Sequence, residues 1–121
     1  MTFREILTQI VDGTPGGLAG AIMGSDGIAI DEYRAPGCAL ELSAVAVEFQ
    51  RVLEQARKVS GSLYGKGSEP EELVLVTRDH QLLFRQVDEE YFVALALLPN
   101  GVLGKARYLV RSLLDSLRSE L

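Results

Sequence analysis

The stretch Gly17-Leu-Ala-Gly-Ala-Ile-Met-Gly-Ser-Asp-Gly-Ile-Ala-Ile-Asp-Glu-Tyr33 sets two short apolar runs on either side of Ser25-Asp26-Gly27. Asp-Gly supplies the positive φ that a tight hairpin needs, so the segment reads as strand, turn, strand. Upstream, Thr2 and Glu5 have capping-box spacing, and Phe3, Ile6, Leu7, Ile10 and Val11 recur at helical intervals until Asp12-Gly-Thr-Pro-Gly-Gly17. Downstream, Ala35-Pro-Gly37 closes the second strand. From about Leu40 to Leu63 a long helix is predicted, with Leu42, Val45, Phe49, Val52, Leu53, Ala56 and Val59 on its core side. Three strands come next, Leu73–Thr77, Gln81–Val87 and Tyr91–Leu97, joined by turns at Arg78-Asp79-His80 and Asp88-Glu-Glu90. After Pro99-Asn100-Gly101, the residues Leu103, Ala106, Val110, Leu113, Leu114 and Leu117 form a last amphipathic stripe. The order α-β-β-α-β-β-β-α predicts an α+β fold, a five-stranded antiparallel sheet with helices on both faces.

Composition places the chain in one class. At 121 residues it suits a single domain spanning 1–121, and no Pro-, Ser- or Gly-rich linker divides it. The apolar run Tyr91–Leu98 is far short of the ~20 residues that cross a bilayer, so no membrane insertion is expected. Met1-Thr-Phe-Arg-Glu lacks a secretory pattern, and the expectation is a cytoplasmic protein. A net charge of -5 argues against general affinity for nucleic acid. Lys105, Arg107, Arg111 and Arg118 gather on the C-terminal helix, where they read as a solvated face.

Candidate catalytic chemistry is sparse. His80 has no second histidine with which to share a metal, and in a hairpin turn it reads as solvated or turn-bonded. Asp88, Glu89 and Glu90 are consecutive at a turn and diverge, as do Glu69, Glu71 and Glu72 around Pro70. Ser60-Gly-Ser-Leu-Tyr-Gly-Lys-Gly-Ser68 imitates a phosphate loop, but its first glycine is one position too close and Gly67 replaces the hydroxyl residue. It reads instead as a helix C-cap and connector. Cys38 is the only cysteine, which excludes an internal disulfide, and no base adjoins it. No cofactor, metal or catalytic residue is predicted, and the chain reads as a non-enzyme.

Two surfaces stand out. Leu73, Val74, Leu75 and Val76 are apolar on both faces of a strand, whereas a free sheet edge normally carries charge or proline. Such a strand asks for a partner strand from a second copy; the alternative is a central position in a monomeric sheet. On the long helix, Leu40, Ala44, Val47, Arg51, Glu54 and Lys58 fall opposite the core stripe, and Ala44 and Val47 are small and apolar where solvent is expected.

The element order, the Gly24-Ser-Asp-Gly-Ile-Ala-Ile30 hairpin and Leu98-Pro-Asn-Gly-Val-Leu-Gly-Lys-Ala-Arg-Tyr-Leu-Val-Arg111 resemble the Roadblock/LC7 family over the whole chain. The chain is most similar there to the bacterial MglB-like regulators of small Ras-like GTPases. The resemblance implies profilin-like layering and a homodimer whose sheets join edge to edge with the central helices paired. It further implies a helix-two face that docks a GTP-loaded GTPase, either stimulating hydrolysis or only scaffolding. Ala44, Val47, Glu48, Arg51, Glu54, Gln55 and Lys58 are the candidate docking residues. Two other classes stay open: a GAF- or PAS-like ligand sensor, which needs a roomy cavity, and a cargo or motor adaptor that bridges without regulating a GTPase.

Overall fold

A computed structural model describes residues 1–67 and 69–121. Helix α1 (Phe3–Gly13) leads into strands β1 (Gly17–Gly24) and β2 (Ala29–Arg34). A 3₁₀ turn at Leu42–Val45 precedes helix α2 (Ala46–Tyr64). Strands β3 (Glu72–Val76), β4 (Gln81–Gln86) and β5 (Tyr91–Leu97) come after it, then helices α3 (Leu103–Ser112) and α4 (Leu114–Glu120). All strand pairs are antiparallel, in the order β2-β1-β5-β4-β3.

Local chemistry places the first elements. Glu5 N–H donates to Thr2 Oγ1 at 3.1 Å and Thr2 N–H to Glu5 Oε1 at 3.4 Å, which closes the capping box. In the hairpin, Gly27 N–H bonds Gly24 O at 3.0 Å and Asp26 Oδ1 accepts from Ile28 N–H at 3.0 Å. Gly27 alone in this turn has positive φ, +84°. A Cβ there would also stand 3.0 Å from Val47 Cγ2, so glycine is required both by conformation and by the approach of α2.

Helices cover both faces of the sheet. Beneath α1, α3 and α4 lie Ile22, Leu83, Val93, Leu95 and Leu97, packed on Ile6, Leu7, Ile10, Val110 and Leu117. The other face is lined by alanines of β1 and β5, with Met23, Phe84 and Phe92, and α2 settles onto it through Ala46, Phe49 and Leu53. Phe49 meets Phe84 edge to face at 5.1 Å between ring centroids.

Two helices depart from the predicted pattern. The element predicted from Leu40 begins as a 3₁₀ turn, whose three residues per turn shift the phase of the helix beyond it. Leu42 is buried as expected and Val45 leaves the wheel with the 3₁₀ turn, but Val52 and Val59 are exposed because they stand about 60–80° from Phe49 on the side away from Leu53, at the rim of the buried face. Leu40, expected to face outward, packs against the alanine-lined core. The predicted single last helix breaks at Leu113 (φ -104°, ψ 6°), after which Leu114 and Leu117 are buried separately.

Candidate functional site

The strand Leu73–Val76 lies in β3 at a free edge of the sheet, not at its centre. Leu73 and Val74 are half-buried, while Leu75 and Val76 are 44% and 68% exposed. Thr77 N–H bonds His80 O at 2.8 Å and Gln86 N–H bonds Glu71 O at 2.9 Å. Antiparallel ladders alternate, so the main-chain groups of Leu73 and Leu75 share that phase and face β4. Those of Glu72, Val74 and Val76 therefore face the open side. Arg107 braces this edge from α3, its Nε donating to Glu72 Oε2 at 3.0 Å.

Beside the edge, α2 divides into two flanks. Val45, Val52, Val59 and Leu63 recur at intervals of seven, seven and four, and all are exposed. At 100° per residue Val52, Val59 and Leu63 share one flank of α2, with half-buried Ala56 beside them, and Val45 lies ahead of it in the 3₁₀ turn. The polar side carries the candidate docking residues: Ala44, Val47, Glu48, Arg51, Gln55 and Lys58 are exposed or half-buried, and Glu54 is half-buried. Glu48 and Arg51 pair at 3.2 Å, which exposed to water contributes little stability. Ala44 belongs to the 3₁₀ turn and does not continue α2's helical face, which corrects the 100° reading through it. Val47 lies beside Gly27 of the hairpin turn, on the side of α2 away from the valine flank.

Arg57 is a residue that sequence reasoning missed. Its guanidinium bonds Gln86 Oε1 at 3.2 Å and reaches Glu54 at 3.3 Å and Glu69 at 3.9 Å, tying α2 to β4. The signal was present: an arginine four residues after Leu53 sits at core phase on an amphipathic helix. It lines a surface cleft of about 440 Å³ with Glu69, Pro70, Gln86, Asp88 and Glu89.

The His, Asp, Glu and Cys residues singled out in the sequence lie in turns, ion pairs or packing positions. His80 N–H donates to Thr77 Oγ1 at 3.1 Å. Asp88 Oδ1 accepts from Glu90 and Tyr91 N–H at 2.8 and 2.9 Å. Glu71 and Glu72 face Arg85 and Arg107. The segment from Ser60 ends α2 at Tyr64 and caps it at Gly65, whose N–H bonds Gly61 O at 2.9 Å; Ser68 lies outside the described residues. Cys38 is half-buried against the alanine-lined core. Among the described residues no group of three His, Cys, Asp or Glu could hold a metal, and no helix is long and apolar enough to cross a membrane.

No protein-family model and no curated protein matches the chain. Among solved structures it is similar to MglC from Myxococcus xanthus, at 33% identity over 100% of both chains with a TM-score of 0.71. It is also similar to a Roadblock/LC7 domain from Streptomyces avermitilis, at 12% identity over 98% of this chain and 97% of that one, TM-score 0.76. The gliding protein MglB from Thermus thermophilus matches 93% of this chain with 83% of its own, at 16% identity and a TM-score of 0.82. At these last two identities the likeness is one of fold.

Proposed function

Because the chain belongs to the Roadblock/LC7 family, we propose that it is a homodimeric regulator or scaffold of a small Ras-like GTPase. The observation that carries the reading is an apolar strand edge left open at β3, in a chain that also exposes an apolar flank on α2. Two copies joined at β3 through Leu73, Val74, Leu75 and Val76 would continue the sheet and bring their α2 helices together. The flank of Val52, Val59 and Leu63, with Val45 just ahead of it, is the seam we assign to that pairing, since exposed apolar side chains at seven- and four-residue spacing suit a helix partner. Val47, Arg51, Glu54 and Lys58 then lie away from the seam, Glu48 and Gln55 border it one turn before Val52 and Val59, and with Ala44 they form the GTPase-docking face.

In this reading the chain regulates without catalysing, and any stimulated hydrolysis takes place in the partner's own site. The Thermus relative is named a gliding protein, and a motility GTPase is the setting we infer by that likeness. The test is retention of small GTPases, loaded with GTP or GDP, on the immobilised protein, with light scattering run in parallel. Preferential retention of the GTP form, lost in a dimeric Arg51→Glu variant, is the expected result. Equal retention of both forms by an intact dimer would favour the adaptor reading, and retention of neither would remove the GTPase from the proposal.

A further inference from the structure

Charge in this protein is segregated by element. Residues 103–121 hold Lys105, Arg107, Arg111 and Arg118 against Asp115 and Glu120, a net +2 in a chain of net -5, so residues 1–102 carry -7. These cations do not form a uniformly solvated face. Arg107 is fixed by its Nε to Glu72 on β3 at 3.0 Å, and Arg118 by its Nε to Val87 O at 2.9 Å. Arg107 is thereby oriented through one N–H with its terminal nitrogens turned to a further acceptor, whereas Arg118 also pairs through Nη1 with exposed Asp115 at 3.6 Å. Arg85 stands opposite Glu72 in the β3–β4 register and pairs with the neighbouring Glu71 at 3.8 Å, so the two arginines at this edge each have a carboxylate. Arg111, one turn beyond Arg107, is exposed. Lys105 lies 5.4 Å from the ring centroid of Tyr108, which is itself 61% exposed.

We propose that this outward face of α3 and α4, on the side of the sheet opposite α2, binds an acidic polypeptide segment of a partner protein. Arginines held at Nε match carboxylates as forks, and their orientation is already set before binding. From Lys105 to Arg111 the rise within α3 is roughly 9 Å, the length of about three extended residues, and α4 continues the surface beyond the break at Leu113. At physiological salt the Debye length is about 8 Å, so a short acidic segment laid on this face meets the local positive charge and little of the rest. A bilayer or a nucleic acid duplex presents an extended anionic surface and would also meet the strongly negative remainder. Tyr108 adds a flat apolar surface at the apex for the stem of an acidic side chain or an aromatic neighbour.

Labelled hexaglutamate is the probe, followed by fluorescence anisotropy at low salt, with labelled hexalysine as the charge-reversed control. Saturable binding of hexaglutamate alone is expected, weakened about tenfold or more in Arg111→Glu and in Lys105→Glu, because each reverses one exposed charge. Arg51→Glu on the opposite side of the sheet should leave it unchanged. Circular dichroism establishes that the variants are folded. No saturable binding, or an equal loss in Arg51→Glu, overturns the proposal. So does stronger capture by phosphatidylserine vesicles than by peptide, or a mass increase without peptide that Arg111→Glu abolishes, which would make the occupant a membrane or a second copy.

Discussion

The sheet ends in two edges of opposite character. On β2 the exposed side is blunted by charge and by local hydrogen bonds. Ala35 N–H bonds Leu18 O at 2.8 Å, and the alternation from that pair turns the main-chain groups of Glu32 and Arg34 outward. Glu32 N–H is then taken by Asp31 Oδ1 at 2.8 Å, and the same carboxylate is held by Arg4 at 2.7 Å. Tyr33 is moored to α1 through Asp12 at 2.8 Å, and the register shifts beside Met23, opposite exposed Ile30. Charge, a bulge and an occupied donor are how an edge avoids further pairing. On β3 none of these protections is built into Leu73–Val76: the four residues are apolar, the register with β4 is regular, and Arg107 braces only the strand's first residue. One edge is closed by its own side chains, while the other is left open.

The sharpest way to break the comparison is proline. Val74→Pro removes a donor on the open side while leaving the β4 ladder intact, so the chain should stay folded and lose self-association. Arg34→Pro makes the matching change on β2 and should leave the mass unchanged. Light scattering after size exclusion, at tens of micromolar as an order of magnitude, decides between them. A wild-type monomer, or equal effects of the two prolines, would end the asymmetry.

A smaller effect is expected from the brace. Arg107→Ala removes a half-buried charge-assisted bond to Glu72 and should cost about 1 kcal/mol in denaturant unfolding. If β3 is also the pairing strand, the same variant should weaken the dimer. Stability lost with association unchanged would separate the brace from the edge.

Asp31→Ala tests the closed edge. It frees Glu32 N–H and Arg4 together, and stability should fall by no more than about 1 kcal/mol because the Arg4 pair is exposed. The informative readout is concentration-dependent light scattering, which should rise as β2 becomes able to pair.

The smallest effect is one of pH. Asp12 holds the Tyr33 phenol above its ordinary value of 10.0, first through the hydrogen bond, then through desolvation and charge. The folded value is the raised one, so the tether is fully present below the unfolded value and is lost as pH rises through the folded value. Ultraviolet phenolate titration should show one tyrosine ionising late, and that step should be absent in Tyr33→Phe and move down in Asp12→Asn.

Much of this was legible from periodicity and turn chemistry, because those signals are local. The Asp26-Gly27 turn, the capping box at Thr2 and Glu5, and the meander from Leu73 to Leu97 each rest on residues only a few positions apart. The misreading of α2 was also local in origin. A 3₁₀ turn at Leu42–Val45 takes Val45 off the wheel of α2, while Val52 and Val59 lie about 60–80° from Phe49 on the side away from Leu53, so the core stripe was drawn too wide. The apolar character of those valines was correctly read, but their partner was not, since hydrophobicity states that a side chain avoids water and not what covers it.

The sequence by itself determined the element order, the hairpin and the two-sided apolar strand, because dihedral preference and alternation are properties of neighbouring residues. Only the tertiary structure decided that β3 is an edge and that Arg57 ties α2 to β4. It alone decided that Arg107 and Arg118 are fixed to the sheet and that Val47 stands against Gly27. Those contacts join residues 20 or more positions apart, and their existence depends on how faces pack after the local elements have formed.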